Sequence, residues 1–291
     1  VLPLKDNIPT SRFALVTVLL IVINVGVFLW QQSYPPNSPS GQAPQANFTA
    51  DDVLSERDQI DIEYGAIPYR LTHPGKDCAV TLSAAGSQTV EPDVVCEGTS
   101  DYSQAEADNR LAQLDEPPWL LTVFTSMFMH GGLLHILFNM LFLWIFGNNV
   151  EDAMGRLKYL LFYLAAGVAA LYSQAAIDPG STLPTIGASG AVAGVLGAYA
   201  LLHPRARVLT VIFIVFFVTV VEIPAMVMLG IWFVLQFIPA IGQVATPDVT
   251  GGGGVAYFAH VGGFIFGLAT VKLLARRRDG PGEAPPALRA A

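Results

Sequence analysis

The sequence predicts an all-α polytopic membrane protein: six spanning helices in a bundle, with a large loop after the first. Three observations carry this. The 291 residues are 53% hydrophobic and only 13% charged, where soluble domains carry roughly 25% charged residues. Apolar runs near the length of a bilayer crossing recur along the chain. The basic residues also avoid particular segments, as they do on the two faces of a membrane.

Residues 1–12 hold Lys5 and Arg12 and read as a cytoplasmic N-terminus. Residues 13–31 form the first span, apolar from Phe13 to Trp30 except for Asn24, which reads as helix glue. The run is too long for a simple secretory signal and lacks a small-residue cleavage pattern. Residues 32–118 follow as an extracytoplasmic loop holding 15 of the 23 acids and four of the 15 bases. Its start, 32–50, is rich in Pro, Ser and Gln and reads as disordered. Residues 55–115 have room for a small lobe with some strands. Cys78 and Cys96 both fall here, and on an oxidising side they can pair. No CxxC or His/Cys cluster suggests a metal site, and no cofactor, metal or nucleic-acid partner is expected.

Residues 119–275 supply the other five spans, as runs over 133–146, 157–172, 189–202, 225–241 and 256–275. Residues 119–131 are apolar but precede the second span, and read as a dip beside the bundle. A seventh run, 208–221, is one too many. Basic residues near both termini and in the loops 147–156 and 203–207 place all four on one side, which requires an even number of crossings. At 14 residues, 208–221 is the weakest run and reads as extended or interfacial. Residues 276–291 form a basic, loose cytoplasmic tail. No transit peptide precedes the first span, so a bacterial plasma membrane is the expected location.

Polar groups at membrane depth are costly and are functional suspects. Outside the first span the strongly polar ones fall on three helices. The second opens HGGLLHILFNM, with His130, His135 and Asn139; the last two are four apart and share a helix face. The fourth opens with Ser189, and the sixth carries His260 in YFAHVGGFIFG. A serine hydroxyl is activated by a neutral imidazole within bonding reach. Side-chain N–H groups of His135 and Asn139, with the backbone N–H of Ser189 at a helix start, would face a developing oxyanion. No acid suits a third member, since neither Asp178 nor Asp248 has an evident route to His260. Gly190 and Gly194 on the fourth span, and Gly263 and Gly267 on the sixth, are small-xxx-small pairs that let two backbones approach closely. Gly187 permits a tight bend ahead of the serine. Each feature has a bland reading as well: Ser189 as an N-cap, the glycines as plain packing, and His130 as a structural hydrogen-bonded group.

HGGLLHILFNM, GASGAVAG and AHVGGFIFG, in this order, resemble the rhomboid intramembrane serine proteases over residues 117–275 and the first span. The resemblance implies a Ser189–His260 dyad, an oxyanion site at His135, Asn139 and the Ser189 amide, and single-pass membrane proteins as substrates within the lipid bilayer. It places a flexible cap at 242–255 and a lateral gate at 225–241. The alternative is a catalytically silent relative, which would be expected to lack the serine or the histidine. Two features depart from the family pattern. Trp119 is followed by Leu120 rather than Arg. Ala193 stands where some members stack a tyrosine on the histidine, so Tyr257 or a backbone group is expected to orient His260.

Overall fold

The computed structural model describes residues 2–36, 48–84, 90–214, 217–245 and 255–275. Most of the disordered stretch expected within 32–50, most of the expected cap at 242–255 and the tail 276–291 lie outside these residues.

The chain opens with strand β1 (Leu2–Asp6) and then helix α1 (Leu15–Gln32). A lobe follows: α2 (Glu56–Tyr64), α3 (Pro68–Thr72), β2 (Cys78–Ala84), β3 (Val90–Cys96), α4 (Ser100–Ala107) and β4 (Ala112–Gln113). Next come α5 (Trp119–Thr125), α6 (Leu133–Phe142), α7 (Asn148–Met154), α8 (Arg156–Ile177) and α9 (Ser189–Leu202). The hairpin β5 (Arg207–Ile214) and β6 (Phe217–Pro224), then α10 (Ala225–Ala245) and α11 (Tyr257–Leu274), complete the described elements. A π-helical stretch, Leu143–Gly147, joins α6 to α7. Among the described residues four helices are long and apolar enough to cross a membrane: Leu15–Gln32, Leu133–Met154, Arg156–Ile177 and Tyr257–Leu274. Trp119–Phe128, Ser189–Leu202 and Ala225–Ile241 are apolar but shorter.

The chain is mostly helical but not all-α. Two three-stranded sheets, ordered β1-β5-β6 and β3-β2-β4, correct that expectation. The first contains the weak seventh run, whose described residues are extended, as its length and its Val/Ile/Phe content suggested. It also recruits β1 from the far end of the sequence, antiparallel to β5. The inward carboxylate of Asp6 accepts from Asn149 Nδ2 and Tyr199 Oη, each at 2.6 Å. Burial raises the Asp6 pKa, partly offset by the Tyr199 hydrogen bond.

Glu151 ties the start of α1 to α7. That helix start lacks a side-chain cap of its own. The Glu151 carboxylate accepts instead from Val16 N, Thr17 N and Thr17 Oγ1 at 2.8–3.0 Å. A buried acid therefore meets otherwise orphaned donors at a positive helix end.

The lobe is built on the β2–β3 pair, where Cys78 faces Cys96 and the two form a disulfide. Buried Arg70 pairs with buried Glu116 at 3.4 Å. The lobe also grips the loop ahead of α9: Ala66 and Thr185 exchange backbone bonds at 2.9 and 3.1 Å, and Tyr69 N donates to Ser181 O at 2.9 Å. The segment that leads into Ser189 is thus held by the lobe.

Asp61 on α2 accepts from Gln31 Nε2 at 2.6 Å. Gln31 Oε1 in turn accepts from His130 N at 3.0 Å. Burial raises the Asp61 pKa to about 6; the Gln31 bond and Arg57 act the other way, and Asp58 adds to the rise. A carboxyl whose folded pKa is raised binds more protons folded than unfolded, so it stabilises at low pH and that stability is lost as pH rises through about 6. Unfolding midpoints between pH 4.5 and 7 should therefore fall with rising pH, and Asp61→Asn should flatten that slope. An unchanged slope would remove Asp61 as its source.

Candidate active site

Helices α8, α9 and α11 pack together because α9 offers almost no side chain to either neighbour. A Cβ on Gly263 would overlap the Gly190 carbonyl, and one on Gly267 would overlap the Gly194 carbonyl. A Cβ on Gly197 would meet the Phe264 carbonyl, a third contact in this seam that the sequence reading omitted. Cβ atoms on Gly190 and Gly194 would crowd Ala170 and Ala166 of α8 at 2.5 Å. Both small-xxx-small pairs therefore lie in a backbone-to-backbone contact of the kind that membrane helices use.

This seam brings Ser189 and His260 together. Ser189 Oγ lies 2.7 Å from His260 Nε2. Ser189 is not an N-cap: α9 begins at Ser189 itself and its cap position is Ala188. The hydroxyl is therefore committed to the imidazole rather than to its own helix, while the Ser189 N–H, in the first turn, has no intrahelical acceptor. The preceding Gly187 has φ +131°, in the left-handed region open to glycine. A side chain there would also press to 2.9 Å from His135 Nε2. Gly187 N donates to Ser126 O at 2.8 Å, which fixes the bend against the segment after α5.

His135 and Asn139 line the same cavity as Ser189 and His260, a space of about 1620 Å³. Asn139 Nδ2 donates to His135 O at 3.0 Å and keeps its second N–H for another acceptor. His130 is 1% exposed and packs edge-on to His135 with ring centroids 5.1 Å apart. It is not among the residues that line the cavity.

The orientation of His260 departs from expectation. Neither Tyr257 nor a backbone group holds its second nitrogen; Gln236 Oε1 does, 2.7 Å from Nδ1. Gln236 sits on α10, so the polar groups at this depth come from four helices rather than three. The available signal was plain: Gln236 is the one strongly polar residue in the run 225–241.

Residues 118–277 match the Rhomboid domain family. The chain belongs to the rhomboid family. Among relatives, this rhomboid is 28% identical over 162 residues to Rhomboid protein 1, mitochondrial, of Saccharomyces cerevisiae, covering 54% of this chain and 43% of that protein. It is 41% identical over 76 residues to Rhomboid protease GluP of Bacillus subtilis, covering 26% of this chain and 14% of that protein. It is 34% identical over 94 residues to human Presenilin-associated rhomboid-like protein, mitochondrial, covering 32% and 24%. This rhomboid thus spans less than half the length of these relatives. The yeast and human proteins, with an Arabidopsis thaliana relative, are mitochondrial by name. Their names contradict the expected bacterial plasma membrane with cytoplasmic termini. Basic loops orient a chain in a membrane; they do not tell which membrane it is.

Proposed function

We propose that this rhomboid is an intramembrane serine endopeptidase with Ser189 as nucleophile and His260 as general base. The observation that carries the reading is the 2.7 Å Ser189 Oγ–His260 Nε2 contact inside an open cavity. His260 Nε2 takes the hydroxyl proton as Oγ attacks the scissile carbonyl carbon. The resulting oxyanion receives hydrogen bonds from the Ser189 N–H, the Asn139 amide and the His135 ring, and the positive end of α9 adds to them. The imidazolium then protonates the leaving amine, the C–N bond breaks, and an acyl-enzyme remains. Water, deprotonated by His260, cleaves that ester and regenerates the serine.

Six crossings are proposed: α1, the continuous α6–α7, α8, α9, α10 and α11. At 14 residues, α9 is about 21 Å long, short of a roughly 30 Å hydrocarbon core. This supports a serine set below the membrane surface. The substrates are single-pass membrane proteins cut in or near their spanning segment. Phe138 of α6 and Trp232 of α10 both line the cavity, which supports lateral entry between those helices. A substrate helix must unwind there, because its backbone groups are otherwise occupied, and the few polar groups of the cavity replace those bonds.

A fluorophosphonate probe should label the protein at Ser189, and His260→Ala should slow labelling by about 100-fold or more. An intact, folded protein that the probe leaves unlabelled would overturn the hydrolase reading.

A further inference from the structure

The imidazole of His260 is held from both sides. Ser189 Oγ meets Nε2 and Gln236 Oε1 meets Nδ1, each at 2.7 Å. An amide oxygen is only an acceptor, so the nitrogen facing it must carry the proton. In a neutral ring the other nitrogen is then unprotonated, and that nitrogen is Nε2, the one facing the hydroxyl. With the amide reversed, Nδ1 would be the acceptor, Nε2 would hold the proton, and the ring could not accept one from Ser189.

We propose that Gln236 is a positioning residue of the Ser189–His260 pair, fixing the tautomer and plane of the imidazole from α10. The inference rests on the hydrolase reading above. It fits the absence of an acid in third place among the described residues. A carboxylate at the centre of a spanning helix is costly to insert, and a neutral amide orients the ring without carrying charge into lipid.

The helix carrying Gln236 matters as much as the group. Ser189 and His260 sit on the glycine seam between α9 and α11. By contrast, α10 meets α11 through side chains: Phe233 packs on Phe264 with centroids 4.9 Å apart, and Trp232 lies 6.1 Å from both Phe264 and His260. The base is complete only while α10 is seated. A substrate that enters by displacing α10 removes the acceptor, and reseating restores it.

The full-length protein in proteoliposomes provides the test, read by fluorophosphonate labelling of Ser189 and cleavage of a transmembrane reporter. Gln236→Leu, similar in size but without the acceptor, should lower kcat by about 10- to 100-fold and leave KM within about threefold. Gln236→Glu keeps an acceptor and adds charge. It should retain activity and move the acid limb of kcat/KM upward by about one pH unit. Among the described residues His135 is the other titratable group acting electrostatically on His260, and it is present in every variant. A residue that only packs would shift neither the kcat–KM split nor the pH limb. Phe233→Ala should slow labelling in the parent but add little in Gln236→Leu, as expected for coupled sites.

Gln236→Leu within twofold of the parent, or an unmoved acid limb in Gln236→Glu, would overturn the inference while leaving the hydrolase reading intact. Additive losses in the Phe233 pair would overturn the dependence on α10 seating. If Gln236→Leu does not fold, the pH limb of Gln236→Glu decides. A parent that is never labelled removes the hydrolase reading and this inference together.

Discussion

Ser189→Ala should reduce cleavage of a single-pass transmembrane reporter by about 10³-fold or more and leave insertion and folding unchanged. The second half is as specific as the first. Had Ser189 capped α9, alanine would cost about 1 kcal/mol of stability. The cap position is already alanine, and the hydroxyl's partner is His260. Parent and variant should therefore unfold at the same denaturant concentration while differing in turnover. Co-expression with a panel of tagged single-pass proteins, comparing the two chains, would show the loss and name candidate substrates. Cleavage that survives the substitution would sink the assignment of the nucleophile.

Gly267→Ala should destabilise by about 2–3 kcal/mol and take activity with it. A glycine inside a helix ordinarily gains about 1 kcal/mol on replacement by alanine, so the expected sign is reversed. The reason is local: a methyl on Gly267 overlaps the Gly194 carbonyl, which is backbone and cannot rotate away. The two helices must separate, and Ser189 and His260 separate with them. Gly26 on α1 supplies the control, since a Cβ there meets nothing within 4 Å. Gly26→Ala should be neutral or slightly stabilising. Equal unfolding midpoints for the two variants would show that the seam tolerates side chains, and the geometric argument for the site would fail.

The Ser189–His260 contact was legible because each member is a polar residue where lipid tolerates few, and each lies beside a glycine pair. The extended character of 208–221 was legible from its length and its β-branched content. Its third strand was not, because β1 precedes α1 and no local pattern in Leu2–Asp6 names a partner some 200 residues away. A small lobe with some strands was legible within 55–115. Its bracing of the loop before Ser189 depends on backbone bonds from Ala66 and Tyr69, which side-chain identity does not encode. Gln236 was legible as the one strongly polar residue of 225–241, but an amide carries no charge that marks it as a partner of an imidazole.

The pairing of β1 with β5 sets a schedule for the nascent chain. Asn7 N donates to Arg207 O at 3.0 Å, so the first strand waits for its neighbour while about 200 further residues are made. At about 5–20 residues per second, that wait is about 10–40 s. During it the amino-terminal segment is a bare edge of the kind that pairs promiscuously. The sheet can close only after the ribosome has made α9, which makes its closure a late step in biogenesis.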